Sequence, residues 1–202
     1  MTKIKFCGLS LECDIAAANR IKPEYIGFVF APSSKRYVSP QRASELKKAL
    51  DSDITAVGVF VNEPIQNVSR LLNGGVIDIA QLHGDENEEY IRELRGLSEK
   101  PVIKAFKITS EADVCAACES TADFVLLDSG SGTGKEFDWS LIRSIKRPYF
   151  LAGGLSCENI LRATELLNPY AVDVSSGIET DGIKDKTKMA AFAAAVRGER
   201  QI

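Results

Sequence analysis

The sequence predicts an α/β chain that closes as a single (β/α)8 barrel of minimal size, one domain over residues 1–202, and three observations predict it. Eight short β-rich runs recur at nearly regular intervals, their starts 21, 30, 23, 24, 22, 25 and 22 residues apart. Nearly every interval holds a segment able to form a helix and is long enough for the crossover that parallel pairing requires. The runs are also apolar almost throughout rather than alternating, the pattern of strands covered on both faces. Barrels of this kind have a lower limit near ~200 residues, so short loops and no added domain are expected. A doubly wound open sheet shares this alternation and is the structural alternative.

The runs begin at residue 3 (KIKFC), 24 (EYIGFVF), 54 (ITAVGVFV), 77 (IDIAQL), 101 (PVIKAF), 123 (DFVLLD), 148 (PYFLA) and 170 (YAVDV). Helix-start signals open several of the gaps between them. Ser39-Pro40 precedes QRASELKKAL, Glu63-Pro64 precedes IQNVSRLL, Ser110 precedes EADVCAAC, and Ser156 precedes CENILRATELL.

Composition narrows the function. With 45% apolar residues the chain is no disordered tail, and 25 basic against 28 acidic side chains give a net charge of −3, no field for nucleic acid. The longest apolar run, Met189 to Val196, is far below the ~20 residues of a membrane span. Lys3, Lys5, Glu12 and Asp14 interrupt any signal-peptide core, and five scattered cysteines suit a reducing compartment. The expectation is a cytoplasmic monomer or homodimer whose partner is a phosphorylated small molecule, with neither nucleic acid nor membrane involved.

In such barrels the chemistry gathers at the carboxyl ends of the strands. The first strand ends in Cys7-Gly8, the second leads into PSSKRY with Arg36, the fourth ends in QLHGDE with His83, and the sixth ends in Asp128. The seventh and eighth end in Gly153-Gly154, just before a helix expected near Ser156, and Ser175-Ser176-Gly177, able to open a short extra helix. Glycine admits a close anion and helix N-termini direct amides at it. These two loops read as a phosphate site, or else as tight turns.

Other motifs lead nowhere. Gly134-Lys135 lacks the earlier glycine of a P-loop, since Ser129 stands there, and Glu136 replaces its Ser or Thr. SGSGTGKEF, with Gly132 and Gly134, reads instead as a lid or an ordinary surface loop. The single histidine, His83, has no partner motif for a metal, so none is expected. Cys115 and Cys118 lie within a predicted helix and read, like Cys13 and Cys157, as buried small hydrophobes. Lys104, inside the fifth strand, is either a Schiff-base lysine or a charge-pairing or phosphate-attracting one.

Seven segments taken together carry a resemblance: KFCGL (5–9), VGVFVN (57–62), QLHGDE (81–86), LLDS (126–129), GTGKEFDW (132–139), LAGGL (151–155) and DVSSGIE (173–179). In that order the sequence resembles the phosphoribosylanthranilate isomerases. It departs from them at Phe6, where isoleucine is common, and at Lys35, where the family's turn has proline.

The resemblance implies an Amadori rearrangement without a cofactor. It makes Asp128 the acid and Cys7 the base, gives Arg36 the anthranilate carboxylate, and gives Gly153, Gly154, Ser176 and Gly177 the phosphate. Asp173 would meet sugar hydroxyls and His83 would contact substrate or orient its loop. Rival readings are a Schiff-base aldolase using Lys104, a metal-dependent epimerase, and a non-catalytic barrel that binds phosphorylated metabolites.

The acid and base make opposite demands. A free cysteine near ~8.5 is about 3% thiolate at pH 7, so Cys7 needs backbone amides or a cation. A free aspartic acid near ~3.9 is protonated to about one part in a thousand, a deficit of roughly 4 kcal/mol. The apolar run before Asp128 and the substrate's own negative charge both push that value upward.

Overall fold

Residues 1–128 and 139–198 are described by a computed structural model. Eight parallel strands close in sequential order: β1 (Lys3–Cys7), β2 (Tyr25–Val29), β3 (Thr55–Phe60), β4 (Ile79–Leu82), β5 (Val102–Lys107), β6 (Phe124–Asp128), β7 (Tyr149–Ala152) and β8 (Ala171–Val174). Closure excludes the open sheet. Each strand starts within two residues of the apolar run that predicted it.

The helices between them are α1 (Glu12–Ile21), α2 (Pro40–Ala49), α3 (Ile65–Asn73), α4 (Glu88–Leu97), α5 (Glu111–Glu119) and α6 (Ile160–Leu167). Their ends follow local chemistry. Ser39 accepts the Arg42 amide with Pro40 in the first turn of α2, and Ser110 and Asp113 cap α5 reciprocally.

Two expectations fail. Between β6 and β7 the described residues hold only a 3-10 turn, Leu141–Ser144. The helix expected near Ser156 begins at Ile160, after turns in which the Asn159 and Ile160 amides donate to the Ser156 carbonyl and the Ser156 amide donates to Asn159 Oδ1. Beyond β8 come a 3-10 turn (Ser176–Ile178), an antiparallel hairpin of β9 (Glu179–Thr180) and β10 (Ile183–Lys184), and α7 (Lys186–Arg197).

Side chains alternate along each strand between the helix-facing layer and the barrel interior. On β1, Ile4 and Phe6 pack outward under the helices, which leaves Lys3, Lys5 and Cys7 on the inner face. The interior is graded from bottom to top. At the amino-terminal end Tyr25, Phe124, Phe150 and Tyr170 form an aromatic plug, Tyr25 and Phe150 meeting edge-on at 5.3 Å. Lys3 caps it, its Nζ donating to Tyr170 Oη at 2.7 Å. Above lie Lys5 of β1 and Asp173 of β8, register partners in adjacent strands. At the carboxyl-terminal mouth, Cys7, Val29, Ala31 and Val59 form an apolar collar. With the bottom sealed, the mouth is where a ligand has room.

Candidate active site

A cavity of about 480 Å³ opens at that mouth, and the strand ends supply its walls. Cys7, His83, Asp128, Gly153, Gly154, Asp173 and Ser176 all line it. Seven of the predicted positions, drawn from β1, β4, β6, β7, β8 and the loops that follow them, thus converge on one space. Gly177 and Arg36 are not among the residues that line it. Gly132 and Gly134 lie outside the described residues.

Cys7 is buried at the end of β1, with Gly27 of β2 so close that a Cβ there would lie 2.9 Å from its Sγ. Burial pushes its thiol up, and the Lys5 and Lys184 ammonium groups pull against that while Asp173 adds to it; the thiol stays above its ordinary value. The backbone is fixed as well, Ser175 Oγ donating to the Cys7 carbonyl at 3.1 Å.

Asp128 stands beside His83 on the cavity wall, with Nε2 3.4 Å from Oδ2. Gln81 Nε2 lies 2.9 Å from His83 Nδ1. That contact orients the ring and leaves Nε2 directed at Asp128. Gln81 is buried and its Oε1 has no partner among the described residues. Gln81 also lines the cavity.

The glycine pair has the conformation an anion cradle needs: Gly153 and Gly154 sit at φ 91° and 62°, where other residues are strained. Gly177 supports this loop rather than lining the cavity. It packs so tightly that a Cβ would come within 2.0 Å of the Leu155 carbonyl oxygen, binding the loop after β7 to the short turn after β8.

Arg36 is engaged. Its stem crosses Gly8, where a Cβ would lie 2.4 Å from Cδ, and Nε and Nη2 each donate to Glu179 at 2.6 Å. Glu179 also takes Lys184 at 2.5 Å. Burial works against the Glu179 charge, but the Arg36 and Lys184 bonds outweigh it and hold the carboxyl below its ordinary value. Asp173 is similarly committed, both oxygens accepting from Lys5 Nζ at 3.0 Å. A sugar hydroxyl would have to use its remaining lone pairs.

Four residues that shape the site escaped the sequence reading as functional positions: Lys5, Gln81, Glu179 and Lys184. The signal for Lys5 was a lysine two places before Cys7 in a strand of buried residues, hence on the same face. Lys104 proves to be a charge-pairing lysine. Its Nζ donates to the Gly84 carbonyl at 2.6 Å and stands 3.4 Å from Glu86 Oε2, away from the Cys7 cavity. The remaining cysteines correct an expectation: Cys13, Cys115, Cys118 and Cys157 are exposed, because each sits on the outward side of its helix or turn. Among the described residues no three His, Cys, Asp or Glu side chains converge as metal ligands, and no helix is long and apolar enough to cross a membrane.

This arrangement has counterparts. The model of the N-(5'phosphoribosyl)anthranilate (PRA) isomerase family matches residues 4–195. The chain belongs to that family. The N-(5'-phosphoribosyl)anthranilate isomerase of Endomicrobium trichonymphae is 45% identical over 94% of this chain and 95% of its own length. That of Clostridium acetobutylicum is 46% identical over 98% of each. The crystal structure of phosphoribosyl anthranilate isomerase from Thermotoga maritima superposes with a TM-score of 0.88 at 36% identity, covering 98% of this chain and all of that one. Another structure of the enzyme, 35% identical over 98% of this chain and all of its own, with a TM-score of 0.86, was solved in complex with reduced 1-(o-carboxyphenylamino)-1-deoxyribulose 5-phosphate. Membership makes the chain an isomerase of tryptophan biosynthesis.

Proposed function

We propose that the chain converts N-(5'-phosphoribosyl)anthranilate to 1-(2-carboxyphenylamino)-1-deoxyribulose 5-phosphate with Asp128 as general acid and Cys7 as general base. The observation that carries this is the shared cavity: an acid from β6 and a sulfur from β1 line one space large enough for a single phosphorylated sugar derivative. Asp128 gives a proton to the furanose ring oxygen, the ring opens to a Schiff base, and Cys7 removes the proton from the second sugar carbon. The resulting enolamine tautomerises to the ketone. Each positioned proton transfer of this kind contributes about 10²–10⁴ in rate.

Binding follows from the remaining walls. The amides around Gly153, Gly154 and Ser176 take the phosphate, and Gly177 keeps the two loops in contact. Glu179 occupies the Nε/Nη2 edge of Arg36 and fixes the plane of the guanidinium, so the Nη1 edge meets the anthranilate carboxylate in a two-pronged bond. His83, oriented by Gln81, holds Asp128 toward the ring oxygen. Chemistry through a Schiff-base lysine is disfavoured, since Lys104 is committed to Gly84 and Glu86. The test is a coupled assay: purified chain, phosphoribosylanthranilate and indole-glycerol-phosphate synthase, with indole-glycerol phosphate as the readout. Its formation supports the reading, and its absence at high enzyme concentration removes it.

A further inference from the structure

Among the buried ionisable groups, Lys5 is one the proposed chemistry leaves idle. It is wholly buried, and burying an ammonium is costly unless it is paired. Asp173 supplies a pair through both oxygens at 3.0 Å, yet a barrel floor could be filled more cheaply by two apolar side chains. The placement suggests why the charge is there. Lys5 and Cys7 lie two residues apart on the inner face of β1, so the ammonium and the sulfur are neighbours, and the charge of each acts on the other.

We propose that Lys5, anchored by Asp173 beneath the cavity, is the positioning residue that supplies the countercharge for the Cys7 thiolate. This rests on the reading of Cys7 as base. When the sulfur is an anion, Lys5 lies between two negative groups; when the sulfur has taken the sugar proton, the ammonium is left to Asp173 alone, and Lys5 keeps its own protons throughout. Asp173 is then the residue that holds the lysine charged, and the sugar hydroxyls fall to other groups. The further charges facing the sulfur are Lys184 from β10 and Arg36 from the loop after β2, both tied to Glu179, with His83 and Asp128 on the far wall. Lys5 differs from these in sharing a strand with Cys7 and reaching it from below, where a substrate does not intrude.

The experiment is the pH dependence of Cys7 alkylation by iodoacetamide in the whole protein, resolved by peptide mass spectrometry because the other four cysteines are exposed. Circular dichroism establishes folding. In Lys5→Met the midpoint is expected to rise by about 1–3 pH units, as for loss of an adjacent opposite charge, and kcat/KM at neutral pH to fall at least about tenfold with it. A midpoint equal to that of the unaltered chain overturns the proposal, even if activity drops. If Lys5→Met does not fold, Lys5→Arg and Lys5→Gln decide: the arginine keeps the charge and should leave the midpoint near that of the unaltered chain, the glutamine removes it and should raise the midpoint, and equal midpoints in the two variants overturn the proposal. Because alkylation needs no turnover, these outcomes are separable from failure of the base assignment, which would show as an active Cys7→Ala enzyme.

Discussion

Gly177→Ala puts the phosphate loops under a defined strain. Gly177 lies outside the left-handed region, so the substitution adds a methyl group without forbidding the backbone. That methyl carbon would sit 2.0 Å from the Leu155 carbonyl oxygen, 3.0 Å from its carbon and 3.1 Å from Ser156 Cα, whereas ordinary contact begins at 3.4 Å. All three atoms are backbone and none can rotate away, so the turn after β8 and the loop after β7 must separate by more than an ångström. Overpacking of this kind costs about 1–3 kcal/mol, which for a chain of this size lowers Tm by roughly 3–10 °C. The same separation pulls the Gly153–Gly154 amides away from those near Ser176. Hydrogen bonds to a charged group contribute about 1.5–3 kcal/mol each, so losing one raises KM about ten- to hundredfold. Steady-state kinetics, thermal unfolding and competitive inhibition by inorganic phosphate give three readings. Gly96→Ala is the control, since nothing lies within 4 Å of its Cβ position in α4 and helix propensity favours alanine. A Gly177→Ala enzyme with unchanged KM, phosphate inhibition and Tm would refute the coupling of the two loops.

Other consequences are as specific. Phe150→Ala, at the centre of the aromatic plug, should destabilise the fold by about 3–5 kcal/mol in denaturant unfolding while KM changes little, because the plug lies at the opposite end of the barrel from the cavity; a large KM effect with unchanged stability would contradict this. Since burial holds the Cys7 thiol above its ordinary value, the base is mostly protonated in the free enzyme at neutral pH. The rate of Cys7 alkylation by iodoacetamide, which follows the thiolate alone, should therefore climb about tenfold per pH unit from pH 7 to 8.5, and a rate already at its plateau by pH 7 would contradict it. Glu179→Gln removes the partner of Arg36 and Lys184. The Glu179 carboxyl lies below its unfolded value, so its contribution to stability is complete above that value and disappears as pH falls through the folded one. Urea unfolding should show the variant less stable than the unaltered chain at pH 7, with the gap closing as the pH drops below about 4; a gap that widens on acidification would contradict it.

The strands were legible because parallel strands buried on both faces leave continuous apolar runs, and each run in the sequence lies on a strand of the barrel. The convergence of Cys7, His83, Asp128 and Asp173 was legible for a related reason: in a closed barrel every strand ends at the same mouth, so chain order translates into spatial proximity. Contacts that depend on loops crossing the mouth were not legible. The Arg36–Glu179 pair joins residues far apart in the chain, and the hairpin that presents Glu179 and Lys184 leaves no periodic trace in four strand residues. Exposure of Cys115 and Cys118 was lost for a simpler reason: α5 is short and weakly amphipathic, so sequence alone did not say which of its faces turns inward.

The most direct measurement of the central claim is single-turnover conversion of phosphoribosylanthranilate by Cys7→Ala and Asp128→Asn, with binding of the reduced product analogue measured in parallel. Each variant should lose about 10²–10⁴ in rate while binding the analogue within a few-fold of the unaltered chain. Unimpaired conversion by either one would show that its side chain moves no proton in this reaction.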